Sequence, residues 1–246
     1  MRKQTVQTGL LSAVTVSFLL VFVSMNGSAE LLSYQTVVDY ETYLRQHIES
    51  GAAFPELDIY VSPGDYARAS AEVEAANLEG VDCIVIGEEG FVEWEVVVPE
   101  AGLYNIEIQY YPIEGRGTAI ERMVEINGEL PFEGARYLRF YRIWGDAEDI
   151  IVDNQGNELR PLQKEYPFWT SQVLCDSMGD YLEPYKFYFK EGPNTVRLSS
   201  QREPVAIGAL RIFQIQSAPT YEEYLASHLD LGHKPASGFS IKLQER

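Results

Sequence analysis

Arg136, Arg139 and Arg142 recur at every third position of the stretch ARYLRFYRIW (135–144), interleaved with Tyr137, Phe140, Tyr141 and Trp144 and free of acids. The whole chain carries 37 acidic against 19 basic residues, so this stretch is a local reversal of sign. Aromatic faces cover the apolar faces of sugar rings, and guanidinium groups donate in a fixed fork to hydroxyls or carboxylates. Farther along, Asp153, Asn154 and Arg160 supply more polar groups, and Trp169 a second indole. Tyr141, Trp144, Trp169, Arg139, Asp153, Asn154 and Arg160 are therefore the candidate ligand-binding residues; the local arginines suit uronate-bearing sugars, which the repulsive field of the acidic chain opposes, and the sugar itself is not specified by the sequence. The competing expectation is that the aromatics pack the segment down while the arginines pair with Asp146, Glu148 and Asp149.

Reactive chemistry is sparse by comparison. The three histidines, His47, His228 and His233, lie outside the β-rich middle of the chain, which removes most imidazole-based catalysis and metal ligation. There is no Gly-x-Ser-x-Gly elbow, phosphate loop, dinucleotide fingerprint or zinc spacing. No catalytic residue, metal ligand or cofactor is assigned. Carboxylate pairs arise anywhere among 37 acids, so a carboxylate-dependent polysaccharide hydrolase or lyase is only an alternative to a noncatalytic binder. A formal charge of -18 argues against nucleic acid as a partner. Cys83 sits in an apolar run and Cys175 in a loop-like region; a disulfide and two packed thiols both fit.

The elements that must position these residues are mostly strands. In FVEWEVVVPEAGLYNIEIQYY (91–111), Val92, Trp94, Val96 and Val98 share one parity, and Tyr104, Ile106, Ile108 and Tyr110 another. Glu93, Glu95, Asn105, Glu107 and Gln109 take the opposite faces. The pattern predicts a hairpin with a dry and a wet face, laid against a second sheet, with Trp94 and Tyr104 as packing residues. Ile59 to Val61, Cys83 to Ile86 and Ile120 to Ile126 also read as strands, and Asn127-Gly128 as a tight turn. Tyr185 to Phe189 and Thr195 to Leu198 suggest a second hairpin, and the parity change after Ile207 a bulge at Gly208-Ala209. Between them, from about Pro131 to Pro184, runs a long aromatic insert of the kind that carries function on a rigid scaffold.

Met1-Arg2-Lys3, an apolar run to Val23 and a small-residue close at Gly27-Ser28-Ala29 resemble a secretory signal peptide. The expectation is a secreted or cell-surface protein whose residues 1–29 are a cleaved signal or an uncleaved anchor. Tyr40-Glu41-Thr42-Tyr43-Leu44-Arg45-Gln46-His47 is matched by Tyr221-Glu222-Glu223-Tyr224-Leu225-Ala226-Ser227-His228. The division that follows is a short helix and linker over 30–56, a β-sandwich over 57–217, and over 218–246 a repeat of that helix that opens another module.

The block 91–111, with Asn194-Thr195-Val196-Arg197-Leu198 and the closing strand Pro204 to Phe213, resembles carbohydrate-binding modules of families 6 and 35. The resemblance implies an all-β, galactose-binding-like jelly-roll sandwich with structural calcium. The expected calcium positions are not matched, since Ser62-Pro63-Gly64-Asp65-Tyr66 keeps only Asp65 of an acidic motif and Gly208 stands where an Asp is common. The Tyr-Glu-x-Tyr-Leu helix, Glu114-Gly115-Arg116, Ala119-Ile120-Glu121-Arg122, the stretch from Asp153 to Pro161 and Arg202-Glu203-Pro204 together resemble the N-terminal region of large extracellular solute-binding proteins of Gram-positive ABC importers. That resemblance implies an oligosaccharide or polysaccharide as ligand and importer membrane components as partners through a downstream domain. A structural spacer or protein-docking sandwich is the alternative that keeps the fold without the sugar.

Overall fold

The computed structural model describes residues 37–71, 73–215 and 221–229. The expected export signal and the stretch from residue 230 onward lie outside them. In chain order the elements begin with α1 (Tyr40–Glu49), β1 (Asp58–Val61), β2 (Tyr66–Ala69), β3 (Glu74–Leu78), β4 (Val81–Ile86), β5 (Phe91–Val98), β6 (Gly102–Pro112) and β7 (Ile120–Ile126). A 3-10 turn, Glu133–Arg136, leads into β8 (Leu138–Phe140), β9 (Trp144–Asp146), β10 (Ile151–Val152), β11 (Glu158–Leu159), β12 (Gln163–Glu165) and β13 (Thr170–Val173). β14 (Phe187–Phe189), β15 (Gly192–Arg202), β16 (Val205–Phe213) and α2 (Tyr221–Leu229) follow.

Two antiparallel sheets form a jelly-roll β-sandwich. One has the order β13-β6-β16-β4-β3, with β1 added to β16 and β14 to β6; the other runs β2-β5-β15-β7-β8. β5 and β6 therefore belong to opposite sheets. The expected hairpin is an arch: the chain leaves one sheet at Val98, passes over the end of the core through Pro99 to Ala101 and enters the other at Gly102. Alternation specifies which side chains face inward, and both arrangements satisfy it; it does not specify the strand that supplies the backbone partners. Likewise Tyr185 to Phe189 does not pair with Thr195 to Leu198, because β14 joins β6 while β15 runs between β5 and β7.

The inward residues do what the parity requires. Val92, Trp94, Val96 and Val98 meet Tyr104, Ile106, Ile108 and Tyr110 in one core, with every member buried. Each fully buried large side chain contributes on the order of 1.5–3 kcal/mol. The polar tips are satisfied: Trp94 Nε1 donates to Pro63 O at 3.3 Å and Tyr104 OH to Glu100 O at 2.7 Å. Two residues expected on the wet face are buried as well. Glu93 is covered by Arg68 at 2.7 Å and Arg197 at 2.8 Å, and Asn105 is bonded to Tyr185 O and Ile215 N. Long arginines from neighbouring strands close over a carboxylate that alternation alone leaves in water.

Asn127 and Gly128 both take positive φ, 54° and 78°, as a two-residue turn requires, and Ile126 and Glu129 exchange backbone bonds across it. The register of β16 on β6 slips between Ile207 and Ala209, which is the bulge read from parity. The segment 131–184 is not a separate layer. Its ends, β8 and β13, are edge strands of the two sheets, and only two small ribbons, β9 with β12 and β10 with β11, stand apart. Both cysteines are free thiols, Cys83 buried with Sγ 3.5 Å from Ala76 O.

Candidate functional site

At one end of the sandwich the connection from β6 to β7 (113–119) meets the turn between β15 and β16. Glu203 occupies that turn with φ 63°, a left-handed conformation in which the backbone bends sharply and aims the carboxylate inward. Its oxygens accept from Arg116 N at 2.9 Å, Thr118 N at 3.3 Å, Thr118 Oγ1 at 2.8 Å and Arg142 Nη2 at 3.0 Å. Burial pushes this carboxyl up, but the bonds from Thr118 and Arg116 and the charge of Arg142 outweigh it and hold it below the ordinary glutamate value. Only glycine fits at 115, because a Cβ there would lie 2.2 Å from Glu203 Oε2.

Arg142 is the other half of this base. It donates to Thr118 O and Ile113 O, each at 3.0 Å, and to Glu165 at 2.7 Å, and its side chain is 2% exposed. Arg122 lies beneath, donating to Glu121 O, Arg202 O and Glu203 O, with burial pulling its pKa down and its Nε left without a protein partner. Two buried guanidinium groups thus fasten both loops. Glu165 and Glu203 converge on one cation, a geometry that fixes loops.

The aromatics of the rim stand on this base. Trp144 begins β9, and its indole lies over Gly117, where a Cβ would come 3.3 Å from the ring. Gly117 has φ 75°, so glycine is needed there both for the backbone and for the ring above it. Trp144 remains 47% exposed and Tyr141 55%. The Tyr141 backbone is pinned on both sides by Tyr110, which receives from Tyr141 N at 3.2 Å and donates to Tyr141 O at 3.0 Å. Its ring is left to solvent while its main chain is fixed. In the ribbon, Trp144 stands opposite Glu165, so the two share a face. Tyr166 takes the other face, its ring over Gly145 and its hydroxyl on Asp146 O.

Trp169 sits around the corner on the outer face of the larger sheet. Its Nε1 donates to Leu78 O at 3.0 Å, its ring lies over Gly208, and Tyr111 is 5.4 Å away at 54°. Tyr111 in turn donates to Glu79 at 3.1 Å. Burial raises the Tyr111 phenol first, then the bond and charge of Glu79, and last the charge of Glu165. Trp169 is partly buried and its polar edge is spent on the protein.

The remaining predicted residues are not brought to this place. Arg139 lies on β8, paired with Glu121 at 3.2 Å, beside a cleft of about 350 Å³ that Tyr137, Asp176 and Tyr181 also line. Asp153, Asn154 and Arg160 belong to the β10–β11 ribbon. There Asp153 accepts from Gln155 N and Asn157 N, both at 2.8 Å, and the Asn157 side chain leads the bonds that hold its carboxyl low. Asn154 and Arg160 are exposed. Arg136 pairs with Glu133 at 2.9 Å, so all three arginines of the stretch meet protein carboxylates, though not the expected Asp146, Glu148 and Asp149. Of the arginines expected to meet a uronate, Arg139 is paired with Glu121 and Arg160 stays exposed on the ribbon. Residues that sequence reasoning left without a role include Glu203, Arg122, Gly117 and Tyr111; the nearness of Gly115-Arg116-Gly117 to Arg202-Glu203-Pro204 is a long-range fact with no local signal.

The chain resembles carbohydrate-binding β-sandwiches among solved structures. A GH26-CBM35 β-(1,4)-mannanase from Podospora anserina matches over 68% of this chain and 29% of its own, with 10% identity and a TM-score of 0.41. The C-terminal CBM6 of a marine laminarinase from Zobellia galactanivorans matches over 64% of this chain and 100% of its own, at 14% identity and TM-score 0.38. A family 35 carbohydrate-binding module from Clostridium thermocellum covers 65% and 99%, at 14% and 0.36. Likeness at this level concerns the fold and carries nothing about ligand. No family model and no curated protein matches the chain.

Two positions bear on the calcium that the resemblance to carbohydrate-binding modules implied. Among the described residues no three His, Cys, Asp or Glu side chains are grouped to hold a metal. Asp65 lies in an exposed turn, and Gly208 is covered by Trp169, whose ring would be 2.7 Å from a Cβ there. A carboxylate at 208 and the indole of Trp169 exclude each other.

Proposed function

We propose that the chain is a noncatalytic glycan-binding module that stacks a neutral pyranose ring on Trp144 at the loop end of the sandwich. The observation that carries this reading is a half-exposed indole laid on Gly117 above a buried, ion-paired base, with Tyr141 exposed nearby. A bare aromatic face is ordinarily hidden; one held rigid and open is a preorganised surface for an apolar ring face. Neutral sugars are favoured because the local guanidinium groups are already matched by carboxylates. The setting we propose is an exported sugar-uptake protein at the cell surface, supported by the export-like N-terminus and the resemblance to importer-associated solute-binding proteins. An array of neutral and uronate-bearing oligosaccharides tests the ligand class. Saturable binding to neutral glycans is expected; a blank array, or binding to uronates only, overturns it.

A further inference from the structure

α1 shows what the Tyr-x-x-Tyr-Leu-x-x-His pattern does. Among the described residues β14 pairs with a strand on one side, β6, so its outer N–H groups need partners. Tyr40 OH receives Lys186 N at 2.9 Å and Tyr43 OH receives Tyr188 N at 2.7 Å. These are alternate residues of a strand, about 6.8 Å apart, met by helix residues three positions apart, about 4.5 Å along the axis. The long phenol arms make up the difference. His47 adds a stacked contact on Tyr188, with centroids 4.3 Å apart and planes at 15°. The helix thereby caps a sheet edge with tyrosine hydroxyls, and Tyr40 and Tyr43 are only 6% and 7% exposed.

α2 repeats the residues that make these contacts. Tyr221, Tyr224 and Leu225 stand where Tyr40, Tyr43 and Leu44 stand, and His228 follows at the position of His47. In α2, however, Tyr221 is 69% exposed and Tyr224 48%. We propose that α2 is a docking helix that seats Tyr221 and Tyr224 on the bare edge strand of a second β-sandwich built like this one. The partner is defined by its chemistry: two alternate outward N–H groups on an edge strand with an aromatic between helix and sheet. A second copy of this chain does not qualify, because its own α1 already occupies that edge.

The chain itself supplies the probe. Grafting the α2 residues onto α1 as T42E/R45A/Q46S should leave the melting temperature within ~4 °C of the parent, whereas Tyr43→Ala should cost at least ~10 °C, since about 1 kcal/mol moves a domain of this size by 2–4 °C. A graft that falls as far as Tyr43→Ala overturns the proposal. A labelled peptide spanning 218–231 should bind the Y40A/Y43A/Y221A/Y224A chain saturably, and at least tenfold more weakly once its own two tyrosines are alanine. It should not bind the parent, whose edge is taken. Absence of binding to the folded quadruple variant, or equal binding to the parent, overturns the proposal. So does a parent dimer that dissociates on Y221A/Y224A, which would assign α2 to a second copy instead. If the quadruple variant does not fold, the graft decides.

Discussion

Arg142 and Trp144 are two residues apart and have opposite fates. The arginine is drawn under the surface, where Glu203, Glu165 and two carbonyls take up its donors; the tryptophan stays half in water on a glycine. Both types are enriched at binding surfaces, and here only one is available to a ligand. The difference lies in what waits nearby in space. Arg142 meets a carboxylate that the β15–β16 turn has already buried, and an unpaired buried carboxylate is far costlier than an exposed indole.

The comparison can be broken from the base upward. Removing the carboxylate with Glu203→Ala leaves Arg142 buried with one acid fewer and frees Arg116 N and Thr118; a loss of about 3–5 kcal/mol in urea unfolding is expected. Glycan affinity should fall with it, since the loops under Trp144 lose their clasp. Acid should act on the same group more gently. Because its folded pKa lies below 4.5, the stability it contributes is present above that value and is lost as pH falls through the folded value. Thermal melts from pH 6 down to 3 should decline over that acid range, and Glu203→Gln should flatten the decline. Gly117→Ala places a side chain at φ 75° under the indole and should cost about 1–2 kcal/mol while weakening glycan binding. At the small end, Asn154→Ala and Arg160→Ala on the exposed ribbon should change stability by no more than about 0.5 kcal/mol and leave binding unaltered. A tenfold loss of affinity in either would move the site to that ribbon.

Much of the fold was legible because burial alternates along a strand. The inward sets on β5 and β6, the limits of β7, the turn at Asn127-Gly128 and the bulge after Ile207 follow from period and turn chemistry, and the structure has them. Strand partners were not legible. The same alternation serves a hairpin and an arch, and nothing local says that the chain changes sheets at Pro99 to Ala101. The candidate site was legible by residue type but not by place. The aromatic stretch does put Tyr141 and Trp144 on the surface, while Trp169 goes to the sheet face and Asp153 is absorbed in its own turn. Arginines at every third position suggest a shared face only on a helix. Here the stretch passes from a 3-10 turn into β8, so the three point into different surroundings.

The most direct test of the rim as the binding surface is a paired measurement on the parent chain and Trp144→Ala, with calorimetric titration of the strongest array glycan beside a thermal melt. Trp144→Ala is expected to lose at least tenfold in affinity, about 1.4 kcal/mol, while its melting temperature stays within ~2 °C of the parent. Unchanged affinity in Trp144→Ala, with the parent binding saturably, would contradict the assignment and place the sugar elsewhere on the sandwich.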